Sequence, residues 1–299
     1  MRSFLILAIV GLVAQLVDGA LGMAYGTTSQ SLLLVVGLTP ALASASVHMA
    51  EVGTTLASGV SHWRFGNVDW VKVLWLAIPG GIGAFLGAVV LSSVISAEAA
   101  EPIVAVFLFS LGVYILARFA FRRREQPVIV RPVARGFLGP LGLVAGFLDA
   151  AGGGGWGPIS TPTLLSSRRM EPRKVVGTVD TSEFVVALSA SVGFLISLSF
   201  AKVPWTVVGA LLLGGVVAAP VAAYIVRILP ARILGTAVAG VILITNMKTF
   251  LEAMGVSGAL AIVIYVLIVA VWLVALGHSV IVNHRERKAA PEAGVVGPA

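Results

Sequence analysis

Six residues able to carry charge stand inside stretches that are otherwise apolar: Asp18, His48, Glu51, Asp149, Asp180 and Glu183. A spacing of three puts His48 with Glu51, and Asp180 with Glu183, on one face of a helix. An acidic group at membrane depth costs about 2.5–3.5 kcal/mol at mid-helix, so such groups usually face a cavity or a partner. Burial disfavours the charged carboxylate, which makes Glu51 and Glu183 candidate proton carriers, and His48 exchanges a proton near neutrality. The alternative is that these side chains tether neighbouring segments through hydrogen bonds, with Asp18 and Asp149 as their partners.

A second kind of chemistry lies in 18-DGALGMAYGTTS-29 and 149-DAAGGGGWGPIS-160. Four consecutive glycines, Gly152 to Gly155, break a helix and leave amide N–H groups free to crowd around one point. Pro158 suits the first turn of the helix that follows. A helix start with free N–H groups is an anion site. Thr27, Thr28, Ser29, Ser160 and Thr161 add hydroxyl donors and are candidate caps. Tyr25 and Trp156 are candidates to wall the cavity or to pack beside it. Non-helical backbone at membrane depth is tolerated only where protein buries it or a wet cavity adjoins it.

These two stretches belong to a repeat. Gly11 to Leu34 returns 131 residues later as Gly142 to Leu165 with 11 of 24 positions identical, pairing Asp18 with Asp149, Gly22 with Gly153, Gly26 with Gly157 and Ser29 with Ser160. Pro40, His48 and Glu51 pair with Pro172, Asp180 and Glu183 at an offset of 132, and Trp70 pairs with Trp205 at 135. Residues 1–20 have the outline of a secretory signal, but their internal copy argues for a structural segment.

Composition sets the class. Hydrophobic residues make up 58% of the chain and charged residues 11%, and the mean hydropathy of +1.03 belongs to an integral membrane protein. The net charge of +7 comes from arginines grouped in short connections, a pattern of cytoplasmic loops rather than of nucleic-acid binding. The absence of cysteine excludes disulfides and thiolate chemistry. No nucleophile–base set, metal-ligand spacing or cofactor motif is evident, so an enzyme is not expected.

The apolar spans predict an all-α membrane protein of two repeats, 1–134 and 135–255, each a broken segment followed by three transmembrane helices. An extra C-terminal transmembrane helix and tail occupy 256–299. Basic connections in one half, such as 62–72 with His62, Arg64 and Lys72, match poor ones in the other, which predicts inverted repeats. Inversion needs an odd number of crossings, so the broken segments are read as re-entrant hairpins with arms of about 12–14 residues, too short to cross. One long tilted helix per broken segment is the competing topology. The tail is expected on the cytoplasmic side. Gly87, Gly209, Gly214 and Gly215 are expected to serve helix packing.

The run GGGGWGP at 152–158, in the second of two homologous halves, resembles the TauE/SafE family of membrane proteins. The resemblance spans roughly residues 4–280. It implies a sulfite or organosulfonate exporter of the prokaryotic plasma membrane, whose partners are a small sulfur oxyanion and the bilayer. The substrate-facing positions it implies are Gly22, Tyr25, Gly26 and Thr27 with Gly153, Trp156, Gly157 and Pro158. Gly154, Gly155, Thr28, Ser29, Ser160 and His48 complete the expected substrate site. Asp18, Glu51, Asp149, Asp180 and Glu183 are the expected coupling or gating groups. The first copy departs from the pattern, because LGMAYGT has fewer glycines and no proline at Thr27. An anion channel is the rival function, and an intramembrane enzyme using His48 and Glu51 is a more distant one.

Overall fold

Both glycine-rich stretches end one helix and start another. In the computed structural model, which describes residues 2–21, 23–121, 133–167, 169–225 and 231–289, α1 (Arg2–Leu21) gives way to α2 (Tyr25–Val35), and α6 (Arg135–Gly152) to α7 (Trp156–Ser167). Between them come α3 (Pro40–Arg64), α4 (Trp70–Val89, extended by a π turn to Val94) and α5 (Ala97–Ala120). After α7 come α8 (Pro172–Leu198), α9 (Trp205–Ile225), α10 (Ala231–Ala253) and α11 (Ala259–Ala289). The described residues contain no strand. Gly22, the 122–132 connection with most of its arginines, and the tail from 290 lie outside them.

Local chemistry explains the boundaries. Pro40 and Pro172 open α3 and α8, where a missing N–H costs nothing. Asp69 accepts from the Lys72 amide at 3.2 Å and so starts α4, as an N-cap should. The arms α2 and α7 have 11 and 12 residues, about half a bilayer crossing. The leading arms are longer than expected, with 20 residues in α1 and 18 in α6. The apolar run reaches the aspartate before it breaks, but the apolar stretch of α1, Phe4–Gly19, stays shorter than a crossing.

Among the described residues six segments are long and apolar enough to span a membrane, lying in α4, α5, α8, α9, α10 and α11. α3 has the length but is rich in buried polar groups such as His48, Glu51 and Thr54. The molecule is thus inside out relative to a soluble protein. Leu74, Ile78, Ile82 and Leu86 of α4 and Val266, Leu267, Val271 and Val274 of α11 are exposed, which suits a lipid solvent.

The halves interleave. α1 packs along α9 and α6 along α4, while α3 meets α8 and α5 meets α10. Each contact has its repeat counterpart. A Cβ on Gly11 would fall 2.4 Å from the Leu211 carbonyl oxygen, and one on Gly142 would fall 2.5 Å from that of Leu76. Residues 11 and 142, and 76 and 211, are repeat equivalents, so the pair of contacts exchanges under a pseudo-two-fold operation, as in an isologous dimer. Small residues permit the close backbone approach that membrane helices use in place of a hydrophobic drive.

Gly87, Gly214 and Gly215 are packed in the same way, against Phe147, Ala8 and Thr54. Gly209 is a correction: a Cβ there meets nothing within 4 Å, so packing does not require it. The extra helix α11 rests on α10, where Trp272 Nε1 donates to the Thr236 carbonyl at 3.0 Å and the Thr236 and Ser279 hydroxyls meet at 2.9 Å.

Candidate functional site

Asp149 makes the second break. Its carbonyl accepts the amides of Gly153 and Gly154 at 2.7 and 3.0 Å, closing α6. Gly153 has φ +79 and Gly154 φ +145, a left-handed path that suits glycine. The Asp149 carboxylate Oδ1 then accepts the amides of Gly155 and Trp156 at 2.7 and 3.0 Å. One residue therefore ends α6 and caps α7. Two amides expected to face a solute are engaged by this carboxylate instead.

Asp18 does the same more loosely in the first copy, its Oδ1 accepting the Tyr25 amide at 3.4 Å. No hydroxyl caps α2, which corrects that expectation: the Asp18 side-chain oxygen takes the Tyr25 amide instead. Ala24, where the second copy has Gly155, is held at φ +98. The aromatic residues after each break are anchors. Trp156 Nε1 donates to the Val179 carbonyl at 3.1 Å, and the Tyr25 hydroxyl to that of Leu211 at 3.3 Å. Gly80 and Gly215, again repeat equivalents, leave room for the two rings.

The breaks meet. A Cβ on Gly26 would lie 2.8 Å from Gly154 Cα, and one on Gly154 would lie 2.2 Å from the Thr27 amide nitrogen. Gly153 lies against the Gln30 side chain. Gly155, Gly157 and Pro158 are buried with them. Gly26, Thr27 and Gly157 occupy first-turn positions, whose amides have no partner within the helix. Ser29 and Ser160, equivalent positions one turn inside α2 and α7, are fully buried, and neither hydroxyl has a partner. Thr28 Oγ1 is likewise unpaired, whereas Thr27 Oγ1 donates to the Ala24 carbonyl at 3.3 Å.

His48 of α3 holds the second break. Nδ1 lies 2.8 Å from the Ser44 carbonyl and Nε2 3.0 Å from Asp149 Oδ2. A carbonyl only accepts, and a carboxylate already receiving two amides is best ionised, so both ring nitrogens donate. The geometry is that of an imidazolium–carboxylate pair, 1% and 3% exposed. Ser44 Oγ donates to the Ala150 carbonyl at 2.9 Å and adds a second tie.

Asp180 and Glu183 of α8 gather with Asp18, one carboxylate oxygen of each lying within 4.8 Å of the other two. The separation of 162 positions between Asp18 and Asp180 hides this grouping from any spacing argument. Glu51 stands beside Gly26, its Oε1 3.4 Å from where a Cβ would be, with Oε2 unpaired. His62, expected in a connection, ends α3 instead: it is 8% exposed, with Nε2 3.9 Å from Asp180 Oδ2. Gln15 and Asn246 were also not anticipated. Asn246 Nδ2 donates to Ser31 Oγ at 2.7 Å and ties α10 to α2, while Lys248 pairs outward with Glu252 at 3.1 Å.

Two broken helices meeting inside a multi-pass helical protein, with buried polar groups around the junction, are an arrangement that membrane transporters with discontinuous helices share. Residues 7–249 match the family model described as "Sulfite exporter TauE/SafE". The chain belongs to the TauE/SafE family, a family of membrane transporters, and α11 lies beyond the matched stretch. It is 51% identical over 279 residues to the probable membrane transporter protein YtnM of Bacillus subtilis (strain 168), covering 92% of each chain. It is 24% identical over 225 residues to the probable membrane transporter protein YunE of the same organism, covering 68% of this chain and 81% of that one. No solved structure matches it.

Proposed function

We propose that the protein is a secondary carrier that exports a small sulfur oxyanion, such as sulfite, sulfoacetate or a related organosulfonate, across the prokaryotic plasma membrane. The observation that carries this is the symmetric pair of buried, unpartnered hydroxyls, Ser29 and Ser160. They lie one turn inside helices whose dipoles favour an anion at their starts. Neutral donors hold an oxyanion without a full opposing charge, which lets a carrier release it.

Contact between Gly26 and Gly154 supports alternating access over an open pore, because the two breaks touch backbone to backbone. The repeats 1–134 and 135–255 are read as inverted, with the tail cytoplasmic, on their complementary loop charges. Since α1 packs on α9 and α6 on α4, a moving body would draw helices from both repeats. Glu51 and Glu183 are the proposed proton carriers. Efflux that ignores a pH gradient would remove that part of the proposal.

The test is a thermal-shift panel on purified protein with sulfite, sulfate, thiosulfate, sulfoacetate, taurine, phosphate and chloride. A bound solute stabilises the state it prefers by mass action. Stabilisation by sulfite or a sulfonate, and not by chloride or phosphate, supports the reading; no response to any sulfur anion counts against it.

A further inference from the structure

The repeat places an aspartate where its copy has the cation. Asp149 and His48 correspond to Asp18 and Asp180. In one half the capping carboxylate of Asp149 meets the His48 ring at 3.0 Å. In the other half Asp18 caps the Tyr25 amide in the same way, yet its neighbours are Asp180 and Glu183. The position filled by a positive ring on one side is bordered by carboxylates on the other.

Those carboxylates lack compensation. Asp18, Asp180 and Glu183 are 3%, 2% and 6% exposed, and neither Oδ of Asp180 has a hydrogen-bond partner. Gln15, three residues before Asp18 and so on the same face of α1, leaves its Nε2 unpaired as well. His62 Nε2, at 3.9 Å from Asp180 Oδ2, is beyond hydrogen-bonding reach. Ser58 of α3 also lies beside Asp180, and Glu51 adds a further negative charge to the field at Glu183. Like charges at this separation cannot all persist in a low-dielectric interior without protons or a cation among them.

We propose that Asp18, Asp180 and Glu183 form a metal-cation site, in which an exchangeable ion supplies the positive charge that His48 supplies to the other half. One carboxylate oxygen of each residue lies within 4.8 Å of the other two, close enough for a single calcium-sized ion with ~2.3–2.6 Å metal–oxygen distances to bridge them. Sodium has nearly the calcium radius. The C-terminal end of a broken helix, here α1, adds its negative dipole end, the usual setting for a coupling sodium ion. A site that empties in each cycle favours sodium, with a proton shared among the remaining carboxylates. Binding stands on this geometry alone, and its role as coupling ion rests on the carrier reading.

The experiment is thermal unfolding of the purified full-length protein without any sulfur anion, with NaCl replacing choline chloride at constant ionic strength, and with KCl and CaCl2 as parallel arms. Sodium should raise Tm saturably by roughly 2–4 °C or more, with little effect of potassium. Asp180→Asn should abolish the response. Asp180→His, which installs the other half's arrangement, should unfold at the same temperature with or without sodium. Glu183→Gln, with a weakened response, serves if either Asp180 variant fails to fold. A saturable calcium response lost in the same variants would support the site with a divalent occupant. No response to either ion, or an undiminished response in Asp180→His, would overturn it. No flux is read, so failure of sulfur-anion transport leaves this result distinguishable.

Discussion

The Gly154 backbone lies against that of Gly26 so closely that a Cβ on Gly26 would approach Gly154 Cα to 2.8 Å. This contact joins the two interrupted helices at the start of α2 and the entry to α7. A carrier that opens alternately must break or slide this contact in every cycle.

Gly154→Ala is therefore expected to disable transport. The new Cβ would fall 2.2 Å from the Thr27 nitrogen, at a residue whose φ is +145. Strain of this kind costs about 1–3 kcal/mol. Proteoliposome efflux should fall at least tenfold and the thermal midpoint should drop.

Ala24→Gly should act in the opposite direction. Ala24 is held at φ +98 where its repeat partner is Gly155, and relief of a left-handed residue contributes about 1 kcal/mol. A raised Tm checks this; an unchanged or lowered Tm would contradict the strain.

Removing one member of the His48–Asp149 pair leaves the other charge buried. Each single variant, His48→Gln or Asp149→Asn, should cost about 3–5 kcal/mol. The double variant should cost clearly less than the sum, and a double-mutant cycle measures the difference. Additive costs would show that the two groups do not pair.

Ser29→Ala and Ser160→Ala separate binding from stability. Neither hydroxyl has a partner, so removing an unsatisfied buried group should leave Tm unchanged or slightly raised. The Tm shift induced by sulfite or sulfoacetate should shrink in each variant and vanish in the pair.

The Asp69–Lys72 pair at the start of α4 gives a small acid-dependent contribution. Burial pushes the Asp69 carboxyl up, but hydrogen bonds and charge from Lys72 prevail and hold it below the usual range. A depressed folded value stabilises the protein above the ordinary carboxylate value of about 3.9 and is lost as pH falls through the folded value. With the Asp69 side chain 27% exposed, the effect should be below about 1 kcal/mol. Asp69→Asn should lower Tm slightly at neutral pH, and the gap should close as pH falls below the ordinary carboxylate value.

Much of the fold was legible because it rests on strong local signals. Apolar runs marked the helices, and the glycine runs marked both breaks within a few residues. The site was legible by residue type but not by pairing. Asp149 reaches His48 across 101 positions, and Asp18 meets Asp180 across a longer gap, so only tertiary packing reveals that one pairing is oppositely charged and the other alike. His62 was misplaced because a cation near a helix end reads as a loop charge. The leading arms were underestimated because polar Asp18 and Asp149 were taken to stop a helix that in fact runs three residues past each of them.

Counterflow through reconstituted protein tests the central claim most directly. Liposomes loaded with unlabelled sulfoacetate or sulfite, diluted into a trace of the labelled anion, should accumulate label transiently above equilibrium, and Ser29→Ala/Ser160→Ala should abolish the overshoot. Equilibration without overshoot, accompanied by single-channel anion currents, would contradict the alternating carrier.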